Sequence, residues 1–526
     1  MRHDRQRVVW WISAGLSVLA ATLRFWEASW GMPERIGLHP DEAQHVMSHA
    51  LAISLADPDP HFLNYPSFLI YLIALINGGL SRLGLLTEPW QSYLVARSIV
   101  ATFGALTAPA VFWLGLELGS PLAAGLGGLC VALLPLHVWE SHFAVTDVVM
   151  TFWIVVTLAG SLRLLRRGEL ADYLLVGMAL GLAVASKYTA AFVVVSPLLA
   201  VLLAHRPVAS SLRYLVALGL TALAFSFAAT PFSFLHFSQL RAAMAFENQH
   251  VHSLHYGFSL PAPGWQYHKY VYELFAAFPF SLGFALWAAA AAGTAWTVFT
   301  LRRETAVLLG FALPFFAVLG HWTFKPLRYM LPVEILGAMF AGLWLGSWIE
   351  SGRGWRRTVG GSIAAVVLLY TTLFTVSTTS RLGHDTRIEA AHWLDSVLRP
   401  DERLLLCGYS PYMAVPTDPR IGVDTVGEVA ISRLGERSDD SLVEISSLHF
   451  WRHERHHHPA FEPAYHRFRS GESGFRLVKR FEADFLNREI YRRLDPMFAG
   501  YFISPTLEFY AREPSTVTEQ PRLRAP

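Results

Sequence analysis

Two adjacent carboxylates, Asp41 and Glu42, follow the first apolar stretch of the chain. Placing charged side chains beside lipid costs free energy. We therefore consider first a functional reason for an ionisable pair at this position. A carboxylate at the membrane edge can act as a general base, because it can remove the proton of an acceptor hydroxyl as that oxygen attacks an activated carbon. The pair therefore predicts acid–base chemistry at the membrane surface, with Asp41 as the base.

Cationic residues could complete such a site. Positive groups can hold a departing phosphate, and charge stabilisation of this kind is often the largest catalytic contribution. The chain has neither a Walker signature nor a strand-embedded glycine fingerprint for a nucleotide. The combination predicts a transferase that uses a lipid-linked phosphate donor. The candidate phosphate contacts are Arg97, Lys187, Lys325 and Arg328.

Each of these residues also has a structural interpretation. Arg97 or Lys187 could extend its charged end to the membrane interface. Asp147 could cap the apolar helix that follows it. Asp41 could be the N-cap of an amphipathic helix that carries Glu42 in its first turn, where negative charge is favoured. Both interpretations remain open, but the structural one does not explain why acids and bases accumulate on one predicted membrane face.

The composition indicates that the chain which positions this site is a membrane protein. The chain has 526 residues, of which 53% are hydrophobic and only 16% charged, and this excludes an ordinary soluble domain. The net charge of +2 does not indicate nucleic-acid binding. Cys130 and Cys407 are too few for a disulfide framework and have no metal-binding spacing.

Hydropathy predicts an α-helical polytopic fold with about eleven transmembrane helices. Arg2, Arg5 and Arg7 precede the first span, which places the N-terminus in the cytoplasm. We interpret this span as a retained anchor rather than a signal peptide. The predicted spans are residues 8–26, 93–118, 119–138, 146–165, 171–187, 188–204, 211–235, 271–299, 306–322, 327–349 and 358–380.

The arginine clusters between spans fall on one face, the cytoplasmic one, if the spans alternate as predicted. Residues 64–86 are apolar, but counting them as a span would reverse every later cluster, so we expect an interfacial helix there. Residues 171–204 must then turn near Lys187. Two long outer loops result, residues 27–92 with the carboxylate pair and residues 236–270. The second loop carries His250, His252, His255 and Trp265.

The composition changes sharply near residue 384. Residues 1–383 are predicted to form the transmembrane domain, and residues 384–526 a polar, extracytoplasmic α/β domain. Within the polar part, residues 387–398 have a helical pattern and residues 404–407 form a short apolar strand. The last dozen residues are predicted to be a disordered tail.

Several segments, taken in order, resemble the GT-C membrane glycosyltransferases, in particular the branch with protein O-mannosyltransferases and lipid A aminoarabinose transferases. The resemblance extends over about residues 8–350. One departure is Ser67, because many relatives have a second proline there. The matching segments are Asp41 with Glu42, residues 65–69 (YPSFL), Arg97 with residues 104–106 (GAL), residues 142–147 (HFAVTD), residues 177–188 ending in ASKY, and residues 325–332 (KPLRYMLP).

The resemblance implies a polyprenyl-phosphate sugar donor, inversion at the anomeric carbon and an extracytoplasmic active site with Asp41 as the base. It implies a hexosyl- or pentosyltransferase of a bacterial plasma membrane, with a lipid, glycan or protein hydroxyl as acceptor. Asp147 would support the acceptor or the base, and Lys187 with Arg97 would face the donor phosphate. The residues expected to bind substrates are Glu42, Arg97, His142, Asp147, Lys187, Tyr188, His252, Lys325, Arg328 and Tyr329.

Two other classes of protein remain as alternatives. A lipid or polysaccharide transporter or flippase usually has mid-membrane charges and inverted repeats, which the sequence does not show. An envelope polysaccharide polymerase or ligase would also use outer-face arginines and histidines, and the run from His250 to His255 favours it. That run could bind a divalent metal, although histidines in a flexible loop are more often solvated. No cofactor is otherwise indicated.

Overall fold

The computed structural model describes residues 2–255, 259–260, 262–351, 354–400, 402–427, 431, 442–500 and 504–512. These residues form two compact units. The helical unit comprises Met1–Ala28, Asp41–Ser253 and Glu273–Val376, and the mixed unit comprises Ser29–Pro40, Leu254–Tyr272 and Ser377–Pro526. The mixed unit therefore starts before residue 384 and takes in two earlier segments. The predicted disordered tail lies outside the described residues.

The helical unit consists of apolar helices, several of which begin with proline in the first turn, where its missing N–H costs nothing. Its helices are α1 (Arg2–Phe25), α2 (Ser48–Ala52), α3 (Phe68–Arg82), α4 (Pro89–Leu116), α5 (Pro121–Ala132), α6 (Pro135–Glu140), α7 (Thr146–Arg166), α8 (Leu170–Ser186), α9 (Val195–Leu203), α10 (Val208–Ala229), α11 (Pro231–Leu235), α12 (Phe237–His252), α13 (Phe278–Leu282), α14 (Phe284–Phe299), α15 (Arg303–His321), α16 (Leu331–Ser351) and α17 (Trp355–Thr379).

Seven helices in the described part of the chain are long and apolar enough to cross a membrane, namely α1, α4, α7, α10, α15, α16 and α17. Shorter apolar helices lie between them, and the polytopic helical fold is confirmed. The total of eleven crossings remains a prediction, as does the interfacial position of α3. The shorter apolar helices are Phe68–Arg82, Pro121–Ala132, Leu170–Ser186, Tyr188–Leu203, Glu273–Leu282 and Phe284–Phe299.

Small residues allow two of these helices to approach closely. A Cβ added at Gly342 of α16 would overlap the backbone of Gly127 in α5, and one at Gly346 would overlap Ala123. Close backbone approach through small side chains is typical of helix packing in membranes, where burial in lipid gives no hydrophobic driving force between helices. This packing fixes α16, the helix that directly follows the turn carrying Arg328.

Two local predictions about the helical unit have different outcomes. The turn expected near Lys187 is confirmed, since α8 ends at Ser186 and Lys187 is extended before the 3-10 helix Tyr188–Val194. The segment 236–270, expected to lie outside the membrane, contains the helix α12 over residues 237–252, and its position outside the membrane stays a prediction. His250 and His252 therefore lie in the last turn of a helix rather than in a flexible loop.

The mixed unit contains a five-stranded sheet in the described residues, with strand order β2-β1-β3-β5-β4. Strands β2, β1 and β3 are parallel, whereas β5 is antiparallel to both β3 and β4. The predicted helix and first strand are confirmed by α18 and β1. The elements are α18 (Thr386–Val397), α19 (Ser447–His456), α20 (Phe461–Arg469), α21 (Arg488–Leu494), β1 (Arg403–Cys407), β2 (Gly422–Val426), β3 (Leu442–Ser446), β4 (Phe475–Phe481) and β5 (Leu507–Arg512).

Helices cover both faces of this sheet. Leu394 of α18 packs with Leu404 and Leu406 on one face, while residues of α19 and α20 pack with Leu405 and Cys407 on the other. Strand β3 is buried along its whole length, as expected for a strand covered on both sides. The unit is therefore an α/β structure with its core on both sides of β1 and β3.

Candidate active site

The base candidate Asp41 is held by the element that begins next to it. Residues Glu42–Met47 form a π-helical turn, a feature that is frequent at functional sites. Glu42 accepts two hydrogen bonds from Arg97 of α4, from Nε to Oε1 at 2.8 Å and from Nη2 to Oε2 at 2.7 Å. The backbone N–H of Ala144 donates to Glu42 Oε1 at 3.0 Å. Both charged side chains are 0% exposed, so this buried ion pair anchors the turn.

Asp41 itself does not act as a helix cap. Although it occupies the N-cap position, its side chain makes no capping hydrogen bond. Instead it accepts a hydrogen bond from Arg328 Nη2, and His45 Nε2 lies 3.9 Å from its Oδ1. The Asp41 side chain is 29% exposed, whereas Arg328 is 7% exposed. The carboxylate is thus oriented by a buried cation and still accessible to a substrate.

A second acid and a second cation continue from Arg328. Arg328 Nε lies 3.4 Å from Asp147 Oδ2, and Lys187 Nζ donates to Asp147 Oδ1 at 2.7 Å. The Lys187 ammonium also lies 4.1 Å from the ring centroid of Tyr329. Asp147 is in the first turn of α7, so the sequence-based proposal that it caps that helix is wrong; the N-cap is Val145.

The four charges alternate in sign along this path. We call them the charge relay chain, defined as Asp41, Arg328, Asp147 and Lys187. Their formal charges sum to zero, and each ion is paired and hydrogen-bonded. The free-energy cost of burying these four side chains is therefore moderate. Of these residues Asp41 has the most exposed side chain. The arrangement presents an oriented carboxylate with cations behind it, which suits proton removal next to a developing negative charge.

Three residues expected to contact substrate are instead enclosed by protein. Arg97 and Glu42 form an ion pair with each other in the protein interior, and the expectation that Arg97 faces a donor phosphate stays a prediction. His142 is also fully buried, with Nδ1 2.8 Å from Val138 O and Nε2 2.7 Å from Trp26 O. All three side chains are engaged by protein groups in this structure, and their contacts with substrate stay predictions.

Lys325 is also engaged by protein groups, and its contact with phosphate stays a prediction. Its ammonium pairs with Glu273 and donates to Gly320 O at 2.6 Å, and both members of the pair are buried. Glu273 begins a second π-helical turn, Glu273–Ala277. A short apolar helix thus starts from a buried ion pair, as at Glu42.

Tyr188 and His252 have local roles in the structure. The Tyr188 hydroxyl donates to Leu63 O at 3.1 Å and lies 3.3 Å from Ser233 Oγ. His252 is exposed on α12, and its Nδ1 lies 2.7 Å from Asn248 O one turn earlier. No contact in the described part of the chain joins His252 to the charge relay chain. Its contact with substrate stays a prediction.

An aromatic group near Asp41 was not identified from the sequence. Phe62 stacks on His49 at 4.4 Å and on His45 at 5.6 Å between ring centroids, and Tyr65 packs edge-on against Phe62. In the sequence, this aromatic group was indicated only by the resemblance of residues 65–69 to the GT-C glycosyltransferases. Beyond Phe62 lies an open cavity of about 400 Å³, lined by His61, Phe62, Leu63, Asn64, Gln239, Ala242, Ala243 and Phe246.

A metal centre has no support in the described residues, where no group of three or more His, Cys, Asp or Glu side chains could hold an ion. His250 instead stacks on Phe246 at 6.0 Å and packs edge-on against Phe324.

Sequence comparison identifies one family in the helical unit. Residues 86–241 match the sequence model of the family described as Dolichyl-phosphate-mannose-protein mannosyltransferase. The matched segment contains Asp147 and Lys187 of the charge relay chain and the buried Arg97. Comparison with curated protein sequences gives no match.

Among solved structures, ArnT from Cupriavidus metallidurans bound to undecaprenyl phosphate is 15% identical, with a TM-score of 0.52 over 96% of this chain and 99% of that chain. The apo oligosaccharyltransferase of Archaeoglobus fulgidus is 15% identical, with a TM-score of 0.49 over 76% of this chain and 63% of that chain. This chain thus spans less than two thirds of the archaeal protein. Because the similarity to ArnT extends over nearly all of both chains, the protein has the fold of the GT-C membrane glycosyltransferases.

Proposed function

We propose that the protein is an inverting glycosyltransferase. It moves one sugar from a polyprenyl-phosphate donor to a hydroxyl group of an extracytoplasmic lipid, glycan or protein. The observation that carries the proposal is the accessible Asp41 carboxylate, oriented by Arg328 at the end of the charge relay chain. The family match over residues 86–241 and the GT-C fold support a transferase.

In the proposed reaction the acceptor oxygen attacks the anomeric carbon as the bond from that carbon to the phosphate oxygen breaks. Asp41 takes the proton of the attacking hydroxyl, and the bonding electrons leave with the polyprenyl phosphate. The phosphate gains negative charge in this step. Arg328 and Lys187 stabilise that charge from behind Asp41 and Asp147, because fixed cations in a dry site act strongly on developing charge.

The partners follow from this chemistry. The polyprenyl chain is held in the lipid bilayer among the apolar helices. The sugar and the acceptor meet at the extracytoplasmic face of the same membrane. We place the protein in a bacterial plasma membrane with a cytoplasmic N-terminus, and the mixed unit on the extracytoplasmic side. The basic clusters between predicted spans support this orientation.

The test uses the full-length protein purified in detergent or nanodiscs. Undecaprenyl-phosphate hexoses and pentoses with a labelled sugar are supplied together with an envelope extract as the source of acceptor. Wild-type protein should transfer label from at least one donor. Asp41→Asn should lower the rate by about 10²-fold or more, because a neutral amide cannot accept the proton.

The matched control is Asp57→Asn. Asp57 is an exposed carboxylate of the same long segment, paired with His61, and its substitution should leave the rate near that of the wild type. Folding of both variants is checked by thermal denaturation. Full activity of folded Asp41→Asn protein would rule out Asp41 as the base.

A further inference from the structure

Glu140 is a buried acid beside the active site with no assigned role. It is the last residue of α6, it is 1% exposed, and its Oε2 has no hydrogen-bond partner in the described part of the chain. It lies outside the apolar helices that could cross the membrane. Burying half of a carboxyl group without a partner is costly, so this group requires an explanation.

The turn that carries Arg328 packs against α6, the helix that carries Glu140, and the charges of the charge relay chain act on the Glu140 carboxyl. Helix α6 packs against α1, α7, α13 and the 3-10 turn Leu327–Met330, of which α13 supplies no titratable side chain. Arg24 of α1 contacts His137 of α6, with its Nη2 2.8 Å from His137 Nδ1. The charged and titratable groups around Glu140 are Arg24, His137, Asp41, Asp147, Lys187, Arg328 and Glu334.

The charge balance favours a neutral Glu140. The charge relay chain already sums to zero, so an ionised Glu140 would add an unbalanced buried negative charge that acts on Asp41 and Asp147. An anionic phosphate donor would then meet a negative site. Burial raises the pKa of the Glu140 carboxyl to about 8, against the opposing effect of Arg328. A protonated carboxyl is compatible with the geometry, because it leaves Arg328 committed to its two aspartates.

We propose that Glu140 is a positioning residue that works in its protonated form. While neutral, it does not compete for Arg328, which therefore holds Asp41 in place. When Glu140 loses its proton, Arg328 is drawn toward it and the orientation of Asp41 is lost. This inference rests on the proposed function for its catalytic consequence, but the buried proton itself does not depend on that function.

The first experiment needs no substrate. Thermal denaturation of full-length wild type and Glu140→Gln is compared between about pH 4.5 and about pH 8, the ordinary and the raised pKa of the Glu140 carboxyl. A folded-state pKa above the unfolded one means that stability is present at low pH and is lost as pH rises toward about 8. The wild type should therefore lose more stability with rising pH than Glu140→Gln does. Parallel curves for the two proteins would overturn the proposal.

The second experiment measures the pH dependence of sugar transfer. Glu140→Gln should keep the wild-type rate near neutral pH and extend the alkaline limb by about one pH unit, since the amide cannot ionise. A merely structural residue would lower stability without moving this limb. Glu444→Gln is the matched control, because Glu444 on β3 of the mixed unit is an equally buried acid whose pKa burial also raises to about 8, and it should leave the limb unchanged. An unchanged limb in Glu140→Gln contradicts the proposal.

Two further measurements test whether Glu140 holds a proton. If Glu140→Gln does not fold, infrared spectroscopy of the wild type and of Glu140→Asp should show a protonated carboxylic acid band near neutral pH that differs in frequency between the two proteins and disappears at alkaline pH. Its absence would overturn the proposal. If the wild type transfers no sugar from any donor, the proposed function fails, while the denaturation curves still decide whether Glu140 holds a proton.

Discussion

The buried pair of Glu42 and Arg97 allows a quantitative prediction. Arg97→Met removes the two hydrogen bonds of 2.8 and 2.7 Å and leaves the Glu42 carboxylate buried with the Ala144 N–H as its remaining donor among the contacts described above. Removing one partner of a buried ion pair costs about 3–5 kcal/mol, because the other charge is left uncompensated. The unfolding equilibrium should therefore shift by about two to three and a half orders of magnitude.

A double variant separates this cause from a general loss of packing. Glu42→Gln combined with Arg97→Met removes the orphaned charge, while the amide oxygen can still accept from Ala144. The double variant should therefore be more stable than Arg97→Met alone, with a coupling of about 1–3 kcal/mol in the mutant cycle. Additive costs would mean that the two side chains stabilise the protein independently.

The measurement is reversible unfolding of purified protein in detergent, followed by fluorescence. Arg166→Met is the matched control, since Arg166 pairs with Glu117 at 2.7 Å but is 45% exposed. Exposed pairs contribute about 0–1 kcal/mol, so the control should stay close to the wild type. An Arg97→Met cost no larger than that of Arg166→Met would refute the argument from burial.

Three other perturbations have defined outcomes. Burial raises the pKa of Glu444 on β3 to about 8, so the mixed unit should lose about 1 kcal/mol of stability per pH unit as pH rises toward that value. Glu444→Gln should abolish this slope in pH-dependent thermal scans. Asp147→Asn should reduce sugar transfer by about 10-fold or more through loss of the Lys187 contact, with melting temperature as the control. Gly342→Val should destabilise the helical unit by about 1–3 kcal/mol in detergent unfolding, because its Cβ meets Gly127.

The sequence predicted those features that depend on local pattern. Hydropathy identified the apolar helices, and the polar residues near Lys187 identified the turn between α8 and the next helix. Alternation and apolar runs identified β1, and the helical period identified α18. The acids and bases of the charge relay chain were also selected, because ionisable residues next to apolar runs are rare and conspicuous.

The pairing of these residues could not be predicted in the same way. Asp41 meets Arg328 across 287 residues, and Glu42 meets Arg97 across 55. No local period encodes such contacts, which depend on how helices pack. The sequence therefore assigned Arg97 and Lys325 to a phosphate, whereas in the structure each forms an ion pair with a buried glutamate. Glu140 was missed because its burial, rather than its residue type, makes it unusual.

The π-helical turn at Glu42–Met47 has a geometric consequence for chain length. A π-helical turn holds about one residue more than an α-helical turn, so Asp41 is displaced around the axis relative to α2. Deleting one residue between Ala43 and Met47 would restore α-helical spacing and rotate Asp41 by about 100°. The carboxylate would then point away from Arg328 while α2 stayed in register. The length of this turn, as much as the identity of its residues, sets the direction of the Asp41 carboxylate, the proposed base.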